Sequence, residues 1–222
     1  MENSTSNLKA TAYAYIKEKI LNCEYYPGQN ISEKQIVETI CAGRTPVREA
    51  LITLQKENLV EVYPRKGTCA KTIITSDVME LYQLRKLIEP TVAVKFKRNI
   101  NYAKLLEFDS KFKENSDHSG SESDKQFYSL DVEFHQFIVN STENSRLIRM
   151  FRELMQDTYR IGIFSALLHN NNSKAATYSQ HNRIVQSILM EDDAEIEAAF
   201  TSHINNSLVS ALETLRKAPL TP

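Results

Sequence analysis

The chain has 222 residues, of which 41% are hydrophobic and 25% charged, and its formal net charge is −1. This length is sufficient for one or two domains with a buried core. A near-neutral chain is not a general polyanion binder, although a local basic face remains possible. The three cysteines lack a CxxC spacing, and no apolar run reaches membrane-spanning length. The composition therefore predicts a soluble, cytoplasmic protein with reduced cysteines and no membrane partner.

The segment from Ile31 to Leu51 is typical of two short helices joined by a tight turn. Ser32 is suited to cap the first helix, which is expected to end before Gly43. Thr45 is the predicted N-cap of the second helix, with a proline at the first helical position, where a missing N–H is tolerated. The second helix is therefore predicted from about Pro46 to Asn58.

Two strand-like runs follow this helix pair, Leu59 to Tyr63 and Thr68 to Lys71, and a basic turn from Pro64 to Gly67 separates them. A helix pair followed by a two-stranded hairpin predicts a winged helix-turn-helix. Arg44 and Arg48 lie at the start of the second helix. Arginine at that position can form two hydrogen bonds to a guanine in the major groove, so the pattern indicates DNA binding.

The remainder of the chain has apolar residues at spacings of three and four, and the whole chain contains only five glycines. This pattern predicts helices throughout. We therefore expect a mostly α protein, with a winged helix-turn-helix domain at 1–75 and an antiparallel α-helical bundle at 76–222. Pro90 is expected to interrupt or bend the first bundle helix, and Asp117 to Asp124 to form a polar loop. The later helices are predicted at about 102–113, 125–141, 144–168, 175–190 and 193–216.

Four polar residues of the bundle fall on apolar helix faces: Asp131, His135, His181 and His203. Asp131 and His135 are four residues apart and therefore share one face of their helix. Three imidazoles and a carboxylate that meet in one interior would suit a divalent ion. Zinc is the first expectation, with nickel, manganese and iron as alternatives. The same spacing also arises by chance, and a buried histidine is often only a hydrogen-bonded core residue.

The motifs of the first domain resemble the DNA-binding domain of the GntR transcriptional regulators. The resemblance rests on Pro27-Gly28, Ile31 to Glu33, Arg44 to Leu51, Leu59-Val60 and Pro64 to Gly67. Two residues depart from the family pattern, Gly43 in the turn and Asn58 at the helix end. The resemblance implies contacts to double-stranded DNA from the helix-turn-helix and the wing. The expected contact residues are Lys34, Arg44, Thr45, Arg48, Arg65, Lys66 and Gly67.

The second domain resembles the FCD ligand-binding domain of the FadR-like branch of that family. The resemblance is carried by Leu84-Arg85 with Glu89, Asp131 to His135, Asn144, and His181 to Val185 followed by His203. Many members bind a metal through the aspartate and the three histidines at these positions. The resemblance therefore implies a metal site at Asp131, His135, His181 and His203.

The same resemblance implies that the bundle senses a small organic acid, whose carboxylate would meet the metal and an arginine. Arg85 is the first candidate, because a guanidinium matches a carboxylate with two donors. A salt bridge to Glu89, four residues further on, is the alternative role for this arginine.

Together these features predict a homodimer that reads an inverted-repeat operator, acts as a repressor and responds to the acid. Two alternatives remain open. The first is a metalloenzyme that uses the Asp/His cluster, but Glu133, the nearest possible base, should point away from it. The second is a regulator whose metal is purely structural.

Overall fold

A computed structural model describes residues 2–64, 67–168 and 174–218, with side chains described from residue 7 onward. The chain separates into two compact units, one formed by the residues up to Ile73 and the other by Ile74–Ala218. No helix among the described residues is both long and apolar enough to cross a membrane. The described part is mostly α-helical with one small sheet, which confirms the predicted fold class.

The first unit contains a helix-turn-helix and a wing. Its elements are α1 (Glu2–Leu21), α2 (Glu33–Thr39), α3 (Arg44–Lys56), β1 (Val60–Tyr63) and β2 (Gly67–Ala70). The strands pair antiparallel, with Val60 opposite Ala70 and Tyr63 opposite Gly67. Ile16, Ile20, Val47, Leu51 and Leu54 belong to one buried cluster that joins α1 to α3. The hairpin and α3 are therefore held on a common apolar core.

Helix α3 begins two residues earlier than predicted. Gly43 is its N-cap in an extended conformation, and no side chain caps it, so the expectation that Thr45 caps the helix is wrong. Pro46 occupies the third helical position rather than the first. The first four N–H groups of a helix have no partner within the helix, so a proline at that position costs no hydrogen bond.

The end of α3 shows how Asn58 replaces the usual glycine. Asn58 has a φ of 59°, in the left-handed region that asparagine tolerates. Its N–H donates to the carbonyl of Gln55, and the N–H of Leu59 donates to that of Leu54. This pair of bonds closes the helix and directs the chain into β1.

The second unit is a helical bundle. Its helices are α4 (Thr75–Phe96), α5 (Tyr102–Asn115), α6 (Ser121–Asn140), α7 (Ser145–Leu168), α8 (Lys174–Leu189) and α9 (Asp193–Lys217), with a short 3₁₀ turn at Lys97–Asn99. Helix α4 packs mainly on α9, α6 on α7, and α8 on both α5 and α9. This packing brings α4, α6, α8 and α9 around one interior.

Two details of the bundle differ from the sequence-based expectation. Helix α4 continues past Pro90 to Phe96, so the proline does not end it. Helix α6 begins at Ser121, which makes the predicted loop shorter. Glu122 and Asp124 lie in the first turn of α6, where carboxylates interact favourably with the free N–H groups of a helix start. The polar residues that indicated a loop therefore form the first turn of the helix.

Candidate nucleic-acid interface and metal centre

Helix α3 presents one face of its first two turns to solvent. Arg44, Thr45 and Arg48 are all exposed, while Val47 on the opposite face is buried. The side chain of Arg48 is 63% exposed, and its Nε lies 2.9 Å from Oε2 of Glu33 at the start of α2. An ion pair between two groups this exposed contributes little to stability. Arg48 can therefore exchange this carboxylate for another acceptor at small cost.

The other predicted contact residues lie on α2 and the wing. Lys34 is 82% exposed, and its Nζ is 3.9 Å from the carboxylate of Glu38. Gly67 begins β2 with a φ of +85°, which a side chain would strain. Arg65 and Lys66, the two predicted basic residues of the wing, lie outside the described residues. The described part of this interface is thus three residues of α3, one of α2 and the wing glycine.

The bundle brings the four predicted metal-ligating residues together. Asp131 and His135 come from α6, His181 from α8 and His203 from α9, and one ligand atom from each lies within 4.8 Å of the others. The Nε2 atom of His135 is 3.1 Å from that of His203 and 3.3 Å from that of His181. Oδ1 of Asp131 is 3.1 Å from Nε2 of His181. All four residues are buried.

A buried carboxylate lies behind this cluster. Oε2 of Glu89, on α4, is 2.5 Å from Nδ1 of His135, and Oε1 of the same group is 2.6 Å from Nε of Arg85. The carboxylate of Glu89 therefore lies within ion-pair distance of both an arginine and a histidine. Sequence spacing indicated only the first of these contacts, because Arg85 and Glu89 are four residues apart on one helix. The second contact joins two helices that are distant in sequence.

The outer ring nitrogens of the three histidines have different surroundings. Nδ1 of His203 is 3.2 Å from Oε1 of Gln180. The ring of His181 stacks on Phe112 of α5 at a centroid distance of 4.2 Å, and its Nδ1 has no hydrogen-bond partner among the described residues. Carboxylate, amide and ring stacking thus each restrain one imidazole, while all three Nε2 atoms point to a common centre.

The protonation states of the cluster suit a metal ion. Burial lowers the pKa of His181, against an opposing hydrogen bond to Asp131, and it lowers the pKa of His203 well below its usual value. Burial opposes ionisation of Asp131 and Glu89, but their basic partners outweigh it and lower both carboxyl pKa values, that of Glu89 to about 2. Neutral imidazoles at His181 and His203 beside an ionised carboxylate form a donor set that suits zinc.

A cavity of about 200 Å³ adjoins the cluster, and Asp131 and Arg85 form part of its lining. Arg85 is 1% exposed, and its Nη2 has no hydrogen-bond partner within the described part of the chain. Arg85 can therefore form the salt bridge to Glu89 through Nε and still offer Nη2 to the carboxylate of a ligand. An arginine donor without a partner is costly to bury, so a ligand that accepts from it would be stabilised.

Gly162 determines one wall of this cavity. A Cβ atom added at Gly162 would lie 2.4 Å from Cδ1 of Tyr128, which is closer than atoms can pack. Both residues line the cavity. The glycine therefore lets the tyrosine ring lie against α7, and any side chain there would push the ring away. The sequence offered no signal for this contact, because the two residues are on different helices.

Glu133, the residue considered as a catalytic base, is exposed and accepts a hydrogen bond from Ser129 on its own helix. It points away from the cluster, as its helical position predicted.

Comparison with known proteins identifies both units. Residues 8–69 match the family described as bacterial regulatory proteins, gntR family, and residues 80–206 match the FCD domain. The Nta operon transcriptional regulator of Aminobacter aminovorans is 26% identical over 87% of this chain and 90% of its own. The HTH-type transcriptional repressor RspR of Escherichia coli is 23% identical over 91% and 88%, respectively.

Solved structures agree in fold. The McbR/YncC protein of Escherichia coli superposes with a TM-score of 0.77 at 16% identity, covering 94% of this chain and 98% of that one. The relatives with known roles are regulators of transcription, and the family contains regulators rather than enzymes. The expectation of a non-enzymatic protein is thereby confirmed, and the metalloenzyme alternative is set aside.

Proposed function

The chain belongs to the GntR family of DNA-binding transcriptional regulators and carries an FCD domain, and from this premise we propose that it is a metal-dependent, acid-responsive repressor. A small organic acid, bound beside a metal at Asp131, His135, His181 and His203, would control its affinity for an operator. The observation that supports this most directly is the convergence of four buried ligand atoms next to a cavity with an unpaired arginine donor.

For DNA recognition we assign base-edge contacts to Arg44 and Arg48 and a phosphate contact to Lys34. Their exposure at the start of α3 and on α2 supports this assignment. Thr45 and Gly67 would approach the backbone closely, and Arg65 and Lys66 would extend the basic wing along the neighbouring groove. Because bacterial DNA lies in the cytoplasm, we place the protein there.

For the metal, the three Nε2 atoms and the Asp131 carboxylate would supply the ligands. Zinc suits this donor set, and nickel, manganese or iron would also accept it. When bound, the ion would supply a positive centre that attracts a carboxylate. Glu89 would hold a proton on Nδ1 of His135, which leaves Nε2 of that ring free as a ligand.

For the acid, Arg85 would provide the second anchor. Its Nε is already held by Glu89, so the guanidinium is fixed in place before a ligand arrives. Its Nη2 is the donor left over for a carboxylate oxygen. A cavity of about 200 Å³ is smaller than the pockets that hold drug-sized ligands, which favours a small acid.

We further infer a homodimer that reads an inverted repeat, because twofold symmetry in the protein matches twofold symmetry in an operator. The similar protein RspR is described as a transcriptional repressor, which supports a repressor role for this chain. An acid that binds one arrangement of the dimer more tightly would shift the population and thereby the operator affinity.

A metal with a purely structural role is the remaining alternative. The complete burial of His135 and His181 favours it, since structural sites are closed. The two roles separate in the acid response. If the metal is only structural, removing it with a chelator should leave acid binding unchanged, provided that the protein stays folded. If the metal anchors the acid, its removal should weaken acid binding.

The decisive experiment is selection of operators from random duplexes by the zinc-loaded full chain, followed by titration of the selected duplex with a panel of short carboxylic acids. We expect a symmetric consensus, and at least one acid that changes DNA affinity in zinc-loaded but not in zinc-free protein. No sequence preference under any of these conditions would overturn the DNA assignment. A consensus with no response to any acid would overturn the sensor assignment alone.

A further inference from the structure

The cavity beside the metal cluster is lined mainly by hydroxyl and amide groups. Of the fifteen described residues that line it, eleven carry a polar side chain and four are apolar or glycine. Two of the eleven, Arg85 and Asp131, can carry a charge at neutral pH, and Asp131 is directed at His181. The cavity thus contains one cationic side chain and many neutral hydrogen-bonding groups.

The neutral groups fall into two sets, those that already form a hydrogen bond inside the protein and those that do not. Thr158 and Ser165 already form internal bonds, to the carbonyl of Leu154 and to the hydroxyl of Thr214. In the second set, Asn206, Ser207 and Ser210 form no side-chain hydrogen bond with any other described residue. Together with Thr177 of α8, which likewise has no side-chain hydrogen bond to a described residue, these are the lining side chains left to bind a ligand.

The unbonded groups follow the metal cluster along α9. Asn206, Ser207 and Ser210 are three, four and seven residues beyond His203, so all lie near one face of the helix. At the rise of an α-helix they are about 4.5 to 10.5 Å from His203 along the axis. Neutral hydrogen-bonding groups are therefore arranged over the length of a short carbon chain whose carboxylate lies at the cluster.

We propose that the acid is a polyhydroxylated monocarboxylate of about four to six carbons, with its carboxylate at Arg85 and the metal and its hydroxyl groups on the α9 wall. This inference rests on the proposed acid sensor and specifies its ligand. An aliphatic acid of equal length would displace water from these side chains without replacing the hydrogen bonds. A second carboxylate would find no second cationic side chain among the described residues of the lining.

The test uses five-carbon acids and calorimetric titration of the zinc-loaded full chain. Pentanoate has no hydroxyl group, and 2-hydroxypentanoate has only the hydroxyl that can reach a metal together with the carboxylate. D-Ribonate adds three further hydroxyls, and D-arabinonate carries the same hydroxyls with the opposite configuration at C2. We expect one of the two pentonates to bind at least about tenfold more tightly than 2-hydroxypentanoate, the gain from one matched hydrogen bond.

Matched variants localise the effect. Asn206→Ala should weaken the tighter pentonate about tenfold and leave 2-hydroxypentanoate unchanged. Asn205→Ala removes the same side chain from the neighbouring exposed position, which does not line the cavity, and should change neither affinity.

The outcomes distinguish failure of the hydroxyl-bearing ligand from failure of the acid sensor itself. Binding of both pentonates no tighter than that of 2-hydroxypentanoate would overturn the hydroxyl assignment and leave the acid sensor intact. Tighter binding of 2-hydroxyglutarate than of either pentonate would overturn the monocarboxylate assignment. If none of the five acids binds, this inference fails, and the broader acid panel tested against operator binding then decides whether the sensor itself fails.

Discussion

The two units place the polar groups of their candidate sites in opposite environments. In the helix-turn-helix, Arg44, Arg48 and Lys34 are exposed, and folding leaves them hydrated. In the bundle, Arg85, Glu89 and His135 are at most 1% exposed, so each must be compensated by a partner. Exposed groups can be substituted singly with little effect on the fold. Buried groups form a connected set, in which each substitution affects its neighbours as well as itself.

The largest expected effect is the loss of zinc affinity when one of the buried histidines is replaced. His203→Gln should weaken zinc binding by about 3 kcal/mol or more, a proportionate share of the about 10–16 kcal/mol that four ligands supply in structural zinc sites. Chelator competition measures the affinity. His118→Gln, in an exposed loop, is the control and should bind zinc as wild type. Equal zinc affinity in both variants would remove His203 from the ligand set.

The next largest effect is expected for an exposed arginine of the helix-turn-helix. Arg48→Ala should weaken specific operator binding by about 1–3 kcal/mol and change stability by less than about 0.5 kcal/mol, because its ion pair with Glu33 is exposed. Fluorescence anisotropy and thermal unfolding measure the two quantities. Arg146→Ala, an exposed arginine of the bundle, should change neither. A loss of stability as large as the loss of DNA affinity would contradict the contrast between the two units.

Glu89→Gln tests how far the buried set acts as a unit. The neutral amide can no longer stabilise both His135 and Arg85, so zinc affinity should fall about 10- to 100-fold, as is usual for a residue that orients a metal ligand. Histidine ¹⁵N shifts should also show loss of the single Nδ1-protonated form of His135. Glu133→Gln makes the same change at an exposed position of α6 and serves as the control. Unaltered shifts and zinc affinity in Glu89→Gln would show that Glu89 only fills space.

The smallest effect is expected at Lys34. Lys34→Ala should weaken binding to all duplexes similarly and reduce the slope of log affinity against log salt by about 0.9, the value of one phosphate contact. Its 3.9 Å pair with Glu38 is exposed, so stability should not change. Lys113→Ala in the bundle is the control. A loss confined to the operator, with an unchanged salt slope, would instead assign Lys34 to base recognition.

The sequence determined the features that depend on local pattern. Helical spacing predicted the bundle, and the helix pair with its hairpin predicted the winged fold, both of which the structure has. Spacing also placed Asp131 and His135 on one buried face, because residues four apart share a face. Helix limits were less certain. The polar residues from Ser121 to Asp124 suit a loop and a helix start equally, and only packing distinguishes the two.

Tertiary structure alone decided the contacts between helices. The approach of Glu89 to His135, the stack of Phe112 on His181, and the fit of Tyr128 against Gly162 each join residues on different helices. No periodicity along one helix reports which face of another helix lies opposite, since that depends on how all the side chains pack together. The sequence therefore determined which residue types lie on which helix face, whereas the contact of Glu89 with both Arg85 and His135 was decided only by the packing of the bundle.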